Sequence, residues 1–582
     1  MDWKHDADRQ LWLSRRRFVR GLAAGGLVGA LSPRSLWAAG SDSAQFGMPV
    51  LQGPQLQLDI TAAQVNFTGR SAMGTAVNGG VPAPLLRLRE GDLLQARVSN
   101  HLSTATAIHW HGLVVPAEMD GVPGLSFAGI APGASFDYRF ALQQSGTYWY
   151  HAHAGFQEQT GLYGPLVIEP RNSDPFAYDR DYVVMLSDWS DTAPQRILTR
   201  LKKQASYYNH QQRTVSELLR DIQAKGAKAV FADRREWGQM RMTPTDRADV
   251  DASTYTYLLN GRTPAANWTG LFKPGERLRL RFINAGAMTY FDVRIPGLRM
   301  TVVAADGQLV EPVQVDEFRL AAAETLDVIV EPRESRAYTL FAQSMDRSGY
   351  ARGSLAPAVG MAAAVPRLDR PARLTMADMG HHHAAAVAGL DEPDHAAMMV
   401  AHPASESNNP NVDMQTHMPL PKLDDPGIGL REEQLLALRD DAVPGHRVLR
   451  LSDLRSTFAD PDGRIPLRTI ELHLTGNMDR YVWGFDGLRY GQSEPIVLQA
   501  GERVRFVLIN DTMMEHPIHL HGLWSDIEDE TGEFQVRKHT LSMPPGTRRS
   551  FRVTADATGR WPFHCHMMFH MALGMFREVH VL

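Results

Sequence analysis

Apart from the run His381-His382-His383, four His-x-His pairs punctuate the chain: His109/His111, His151/His153, His519/His521 and His564/His566. With 23 histidines among 582 residues, composition alone would give about one such pair. Spacing two on a β-strand turns both side chains to one face. Each pair therefore offers two imidazoles to adjoining metal ions. Imidazole serves copper, zinc, iron and nickel, so the pairs alone leave the metal open. The last pair brackets the single cysteine in the run His564-Cys565-His566-Met567-Met568-Phe569-His570, and Met575 follows. On a strand, Cys565 faces away from its two neighbours, so one tripeptide can serve two sites. Cys565, His570 and the upstream His516 form a His₂Cys set with Met575 as a weak axial donor, which is the blue-copper arrangement. A metal-bound thiolate is a better reason for one lone cysteine than core packing.

These residues must be held by repeated units. Gly91–Asn100 (GDLLQARVSN), Gly275–Asn284 (GERLRLRFIN) and Gly501–Asn510 (GERVRFVLIN) share one pattern. Each opens with Gly and an acid, alternates apolar with polar residues, and ends in Asn; period-two alternation predicts a half-buried strand. Nine residues after Asn100 and after Asn510 comes a His-x-His-Gly-Leu, at His109 and at His519. Pro132-Gly133 and Pro545-Gly546 then precede His151 and His564 by the same offset, as do Gly146 and Gly559. In the middle copy the positions matching His109 and His111 are Val293 and Ile295. That unit keeps the strand without the ligands. Strand-rich units with Gly/Pro turns predict an all-β chain of sandwiches or barrels, at about 45–172, 178–370 and 430–582. Residues 194–224 interrupt the middle unit with a helical pattern. Residues 371–430, rich in Ala, His, Met and Pro, read as a linker or long loop.

Composition narrows the class. Formal charge is −5, so nothing points to nucleic acid. Residues 1–40 read as an export signal: Ser14-Arg15-Arg16-Arg17-Phe18 precedes a short apolar run, Gly21–Leu31, and small residues near Ala38-Ala39. That pattern predicts twin-arginine export of a folded chain to the periplasm. The run is too short to span a bilayer, so no stable membrane anchor is expected after cleavage. The linker carries Met376, Met379, Met398, Met399, Met414 and Met418 with His381, His382, His383, His395, His402 and His417, while Met513 and Met514 precede His516. Thioethers select Cu(I), so the linker is read as an additional Cu(I)-capturing segment, against an incidental spacer.

The motifs HWHG, HAH, HPIHLHG and HCHMMFHMALGM resemble those of three-domain multicopper oxidases. The likeness runs from about residue 45 to the end. The helical insertion, the Met/His-rich segment and the phrase DGVPGLSFAGIAPG resemble the periplasmic copper-resistance protein A branch. The resemblance implies three cupredoxin-like Greek-key domains and four copper ions. His516, Cys565, His570 and Met575 would hold a type 1 copper, and His109 and His519 a type 2 copper. A type 3 pair would divide into His111, His151 and His566 on one ion, and His153, His521 and His564 on the other. The cluster would lie between the first and third units, consistent with Val293 and Ile295 in the second. Asp120, in Met119-Asp120-Gly121, would act as a proton relay beside the type 2 copper. Where some relatives carry an acid just before the last type 1 histidine, this chain has Phe569.

The expected activity is one-electron oxidation of Cu(I), and of phenols, at Cys565, coupled to reduction of dioxygen to water in copper tolerance. Two other readings stay open: a laccase-like phenol oxidase, and a copper-sequestering protein with little turnover. A monomer is expected, because the ligands of the first and third units can meet within one chain.

Overall fold

The computed structural model describes residues 48–380 and 409–582. The export segment and the linker positions His381, His382, His383, His395, Met398, Met399 and His402 lie outside them. Among the described residues, no helix is long and apolar enough to cross a membrane.

Six β-sheets form three cupredoxin-like domains, two sheets in each. The repeated motif is an interior strand of its sheet in every copy. Its strands are Leu93–Asn100, Leu278–Asn284 and Arg503–Asn510. Each pairs in parallel with the first long strand of its domain: Gln55–Val65, Arg180–Trp189 and Arg468–Asn477. On the other side each pairs antiparallel with a later strand, Ser135–Ala141, Thr325–Val330 or Arg548–Thr554. In the first copy the expected alternation is seen, with Leu94, Ala96 and Val98 buried. In the second copy every residue is buried, because Arg279 and Arg281 face the first domain instead of water. Arg281 bonds Thr147 of that domain at 3.0 Å and pairs with Asp181 at 2.7 Å.

The terminal Asn of the repeat has a structural reason. Asn100, Asn284 and Asn510 each donate from Nδ2 to two backbone carbonyls, one four or five residues ahead and one on a later strand or loop. Each accepts at Oδ1 from the amide two residues on. Burying these loop ends would otherwise leave backbone groups unpaired, which costs free energy. In the third domain this same loop carries Thr512, Met513 and Met514 up to His516.

The insertion in the middle domain holds three helices, Pro194–Lys203, Val215–Lys225 and Ala227–Gln239. The second begins with a capping box between Thr214 and Glu217 and ends at Gly226. The third lies beyond the expected 194–224: Gly226 breaks the pattern but serves as the boundary between two helices.

The described flanks of 371–430 are packed rather than free. Met379 and Met414 are buried in the core, and only Met418 among the described linker methionines is exposed. Thr416 bonds Asn510 O and the Asp511 carboxylate, and Lys422 Nζ donates to Pro545 O. Apolar side chains and backbone hydrogen bonds pack these flanks against the second and third domains, which composition alone did not reveal.

Candidate metal centres

The strand His109–His111 pairs antiparallel with Gly146–His151, placing His109 opposite His151. In the third domain His516–Leu520 pairs antiparallel with Gly559–Cys565, placing His519 opposite His564 and Ile518 opposite Cys565. The same register thus brings two His-x-His pairs together in each domain. The glycine that ends each His-x-His-Gly is required by space. Gly112 and Gly522 have φ of +80° and +66°, and a Cβ there would lie 2.4 Å from the His539 ring and 2.3 Å from the Trp561 ring. Val293 and Ile295 of the middle domain are buried core residues.

The structure gathers donor atoms into groups with all atoms within 4.8 Å of one another: His109, His111 and His519; His111, His151 and His566; His153, His521 and His564; His516, Cys565 and His570. Each group except the last combines the first and third domains. All these side chains are buried except His153, which is half-buried.

Hydrogen bonds fix which nitrogen each ring presents. His109 Nδ1 donates to Asp120 O at 2.7 Å, and His519 Nδ1 to His539 O at 2.6 Å. Their Nε2 atoms are buried without partners. His521 Nδ1 donates to Asp120 Oδ2 at 2.9 Å, and His564 Nδ1 to Cys565 O at 2.9 Å. The remaining Nε2 atoms of these two rings, both bare lone pairs, face each other at 2.9 Å. His151 Nδ1 meets Glu158 Oε2 at 2.8 Å, leaving its Nε2 3.4 Å from that of His566. His111 presents an unpartnered Nδ1. Lone pairs at such range repel unless a cation lies between them, and the partner on the far nitrogen of His109, His151, His519, His521 and His564 is the usual device that orients a metal-binding imidazole.

Protonation does not relieve the conflict. Burial, and then the neighbouring imidazoles, hold His111, His519, His521 and His566 well below the ordinary value of 6.5. Burial pushes His564 down to about 3. These five rings are neutral nitrogen donors, the form that a metal requires.

The second centre shows the same logic. Cys565 Sγ lies 3.5 Å from His516 Nδ1 and 3.8 Å from His570 Nδ1, and the two Nδ1 atoms are 3.1 Å apart. His516 Nε2 donates to Thr512 Oγ1 and His570 Nε2 to Asp249 Oδ2, each at 2.7 Å. Trp483 packs over His570 with ring centres 3.9 Å apart. Burial pushes the Cys565 thiol well above its ordinary range, so a thiolate at this place needs an adjacent cation. The donor set of one thiolate and two imidazoles suits copper. Met575 is fully buried, and its backbone bonds both His570 O and the Cys565 amide. It therefore lies beside Cys565 and His570.

Four contributors were not singled out from sequence. Asp249 comes from the loop after the insertion helices, 321 positions from the histidine it holds. Thr512 sits in the Asn510 loop. Glu158 is buried against His151, and burial pushes its carboxyl up to about 8. His539, a histidine outside any pair, lies with Nδ1 3.2 Å from His111 Nε2. A lone acid seven residues after the second His-x-His could have flagged Glu158; nothing local points to Asp249. Asp120 does reach the cluster, through His521 and His109.

Three multicopper oxidase family models match residues 59–173, 180–365 and 465–582. The chain is 54% identical to copper resistance protein A of Pseudomonas syringae pv. tomato, over 98% of this chain and 99% of that protein. It is 52% identical to copper resistance protein A of Escherichia coli, with the same coverage of both. The fold resembles the crystal structure of Fet3p, a multicopper oxidase that functions in iron import, with a TM-score of 0.64 at 19% identity over 91% of this chain and 90% of that one. Matching models across all three domains, and more than half identity over nearly the full length, lead to one conclusion: this chain belongs to the multicopper oxidase family and is a copper-dependent oxidoreductase.

Proposed function

We propose that the chain holds four copper ions and couples one-electron oxidation of Cu(I), and of phenols, to reduction of dioxygen to water. His516, Cys565, His570 and Met575 would hold the type 1 ion. His109 and His519 would hold type 2. His111, His151 and His566, and His153, His521 and His564, would hold the type 3 pair. Bound there, copper supplies one-electron redox chemistry at the first centre and dioxygen reduction at the cluster.

One observation carries this reading: Cys565 turns its thiol toward His516 and His570, while the adjoining His564 and His566 enter two different groups of the cluster. A backbone of one residue on either side thus joins an electron-accepting centre to a dioxygen centre. The rest of the chain holds that junction still and dry. His516 and His570 are fixed from behind by Thr512 and Asp249, so their nitrogens stay in place as charge changes. Trp483 and the surrounding core exclude water from the thiol. Asp120 touches His521 and lies 3.3 Å from His109 Nδ1. It is placed to receive and pass protons, which reduction to water consumes.

The printed names of the relatives support a role in copper tolerance. The Arg15-Arg16-Arg17 segment supports twin-arginine export to the periplasm. A monomer suffices, since every proposed ligand comes from one chain. The test is Cys565→Ser, which removes the thiolate at nearly constant volume. We expect loss of the blue absorption and of donor-driven oxygen uptake in a folded protein. A blue, active variant would contradict the assignment.

A further inference from the structure

None of the grouped donor atoms comes from the middle domain, yet one of its turns reaches the place where the other two domains meet. Asp306-Gly307 joins strands Met300–Ala305 and Gln308–Val315, with φ of +48° and +76°. A tight two-residue hairpin turn demands that left-handed pair, and Asp-Gly adopts it readily. Gly307 lies against the first domain: a Cβ there would sit 2.3 Å from the ring of Tyr148, on the strand that ends in His151. Asp306 lies against the third domain. It is fully buried, and its Oδ2 accepts from the Thr540 amide at 3.1 Å and from Lys538 Nζ at 3.0 Å. Its Oδ1 accepts from the Thr325 amide at 3.0 Å, which ties the turn to its own sheet.

Between Lys538 and Thr540 stands His539, also buried. Its ring covers Gly112, the residue after His111, so closely that no Cβ fits there. Its carbonyl accepts from His519 Nδ1 at 2.6 Å. Its Nδ1 and the Thr540 Oγ1 each lie 3.2 Å from His111 Nε2, and 3.0 Å from each other. The His111 and His519 rings stack with centres 3.9 Å apart. One residue thus holds two candidate ligands, one from each ligand-bearing domain. His111 is also set the opposite way round from its neighbours. His109, His151, His519, His521 and His564 are tied at Nδ1. His111 is tied at Nε2 and keeps a buried, unpartnered Nδ1.

We propose that His539 is a positioning residue which, anchored through Asp306 of the middle domain, makes His111 a ligand through Nδ1. The inference rests on the ligand reading above and adds what sets this ring. A neutral imidazole carries one proton. A metal at Nδ1 leaves that proton on Nε2, where Thr540 Oγ1 accepts it and the hydroxyl donates in turn to His539 Nδ1. The middle domain, with Val293 and Ile295 in place of histidines, therefore acts on the cluster through one hairpin turn.

The test uses the copper-loaded protein and three forms: wild type, His539→Leu with Thr540→Val, and His539→Asn with Thr540→Val. The first variant removes both acceptors; in the second, the Asn oxygen stands in for Nδ1. Blue absorption reports that the Cys565 centre is intact. Copper affinity is read by competition with a chelator, and electron paramagnetic resonance reports the pair. Two Cu(II) ions held side by side pair their spins, so loss of one exposes its neighbour. We expect His539→Leu with Thr540→Val to stay blue, to hold cluster copper about 10- to 100-fold more weakly, and to show a new paramagnetic signal. His539→Asn should restore most of the affinity and remove that signal. If the Leu variant does not fold, Thr540→Val alone is expected to shift the affinity in the same direction. Wild-type affinity and a silent pair in the folded variant, or an Asn variant no better than the Leu one, would overturn the positioning role and leave the four-copper reading standing. A wild-type protein with no silent pair would overturn that reading itself, and the positioning role with it.

Discussion

His570 reaches the metal side with one nitrogen and Asp249 with the other, so the carboxylate charge is felt at the donor atom. Removing that charge while keeping the shape should weaken the imidazole as a ligand. Partners of this kind are worth about 10- to 100-fold in metal affinity or activity. Asp249→Asn is therefore expected to keep the fold, raise the reduction potential of the Cys565 centre, and lower its copper affinity or turnover by that order. Redox titration of the blue band checks it; an unchanged potential and affinity would show that Asp249 is a bystander. Legibility at this scale was uneven. The paired histidines and the lone cysteine declared themselves by type and spacing. Asp249, Thr512 and His539 did not, because a single acid, hydroxyl or imidazole has no local pattern and its partner is fixed only when distant loops pack.

Strand register is what converts the motifs into sites. His109 opposite His151, and His519 opposite His564, follow from two antiparallel pairings with one geometry. The repeats could be aligned in the sequence, so the strands were foreseeable to within two or three residues. The third insertion helix and the packed flanks of the Met/His-rich segment were not, since a glycine can break a helix or join two, and polar composition does not reveal which few apolar residues are buried. The turn glycines also act at this scale. Gly522→Ala would place a methyl group against the buried Trp561 at a backbone angle that costs an ordinary residue about 1–3 kcal/mol. We expect a lower melting temperature and partial loss of copper from the cluster, since His521 adjoins the turn. A melting temperature equal to wild type would mean that the turn relaxes without strain.

Across the whole molecule, buried ion pairs and charged hydrogen bonds join the domains. Arg281 reaches Thr147, Arg319 pairs with Glu515 at 2.8 Å, and Lys538 with Asp306 at 3.0 Å. Burial alone would raise the Asp292 carboxyl, but the guanidinium groups of Arg319 and Arg347 outweigh it and hold it well below 3.8. Burial is likewise outweighed at Asp181 by Arg281, at Glu317 by His446 and Arg294, and at Asp369 by Arg439. A carboxyl with a lower value folded than unfolded contributes stability above its unfolded value and loses it as the pH falls through its folded value. We expect the melting temperature to fall steeply below about pH 4.5. Asp292→Asn should be less stable at neutral pH, by about 3–5 kcal/mol for a broken buried pair, with a shallower acid slope. Parallel slopes for the two proteins would contradict this account of acid sensitivity.

The first and third domains meet at the cluster, and a single strand joins it to the Cys565 centre. That arrangement is suited to delivering four electrons to one dioxygen before anything leaves. The most direct test is oxygen uptake by the copper-loaded protein with Cu(I) as sole donor, corrected for uncatalysed oxidation, with peroxide measured in parallel. The account predicts one dioxygen consumed for every four Cu(I) oxidised and no free peroxide. One dioxygen for every two Cu(I), with peroxide released, or no uptake with all copper sites filled, would contradict it.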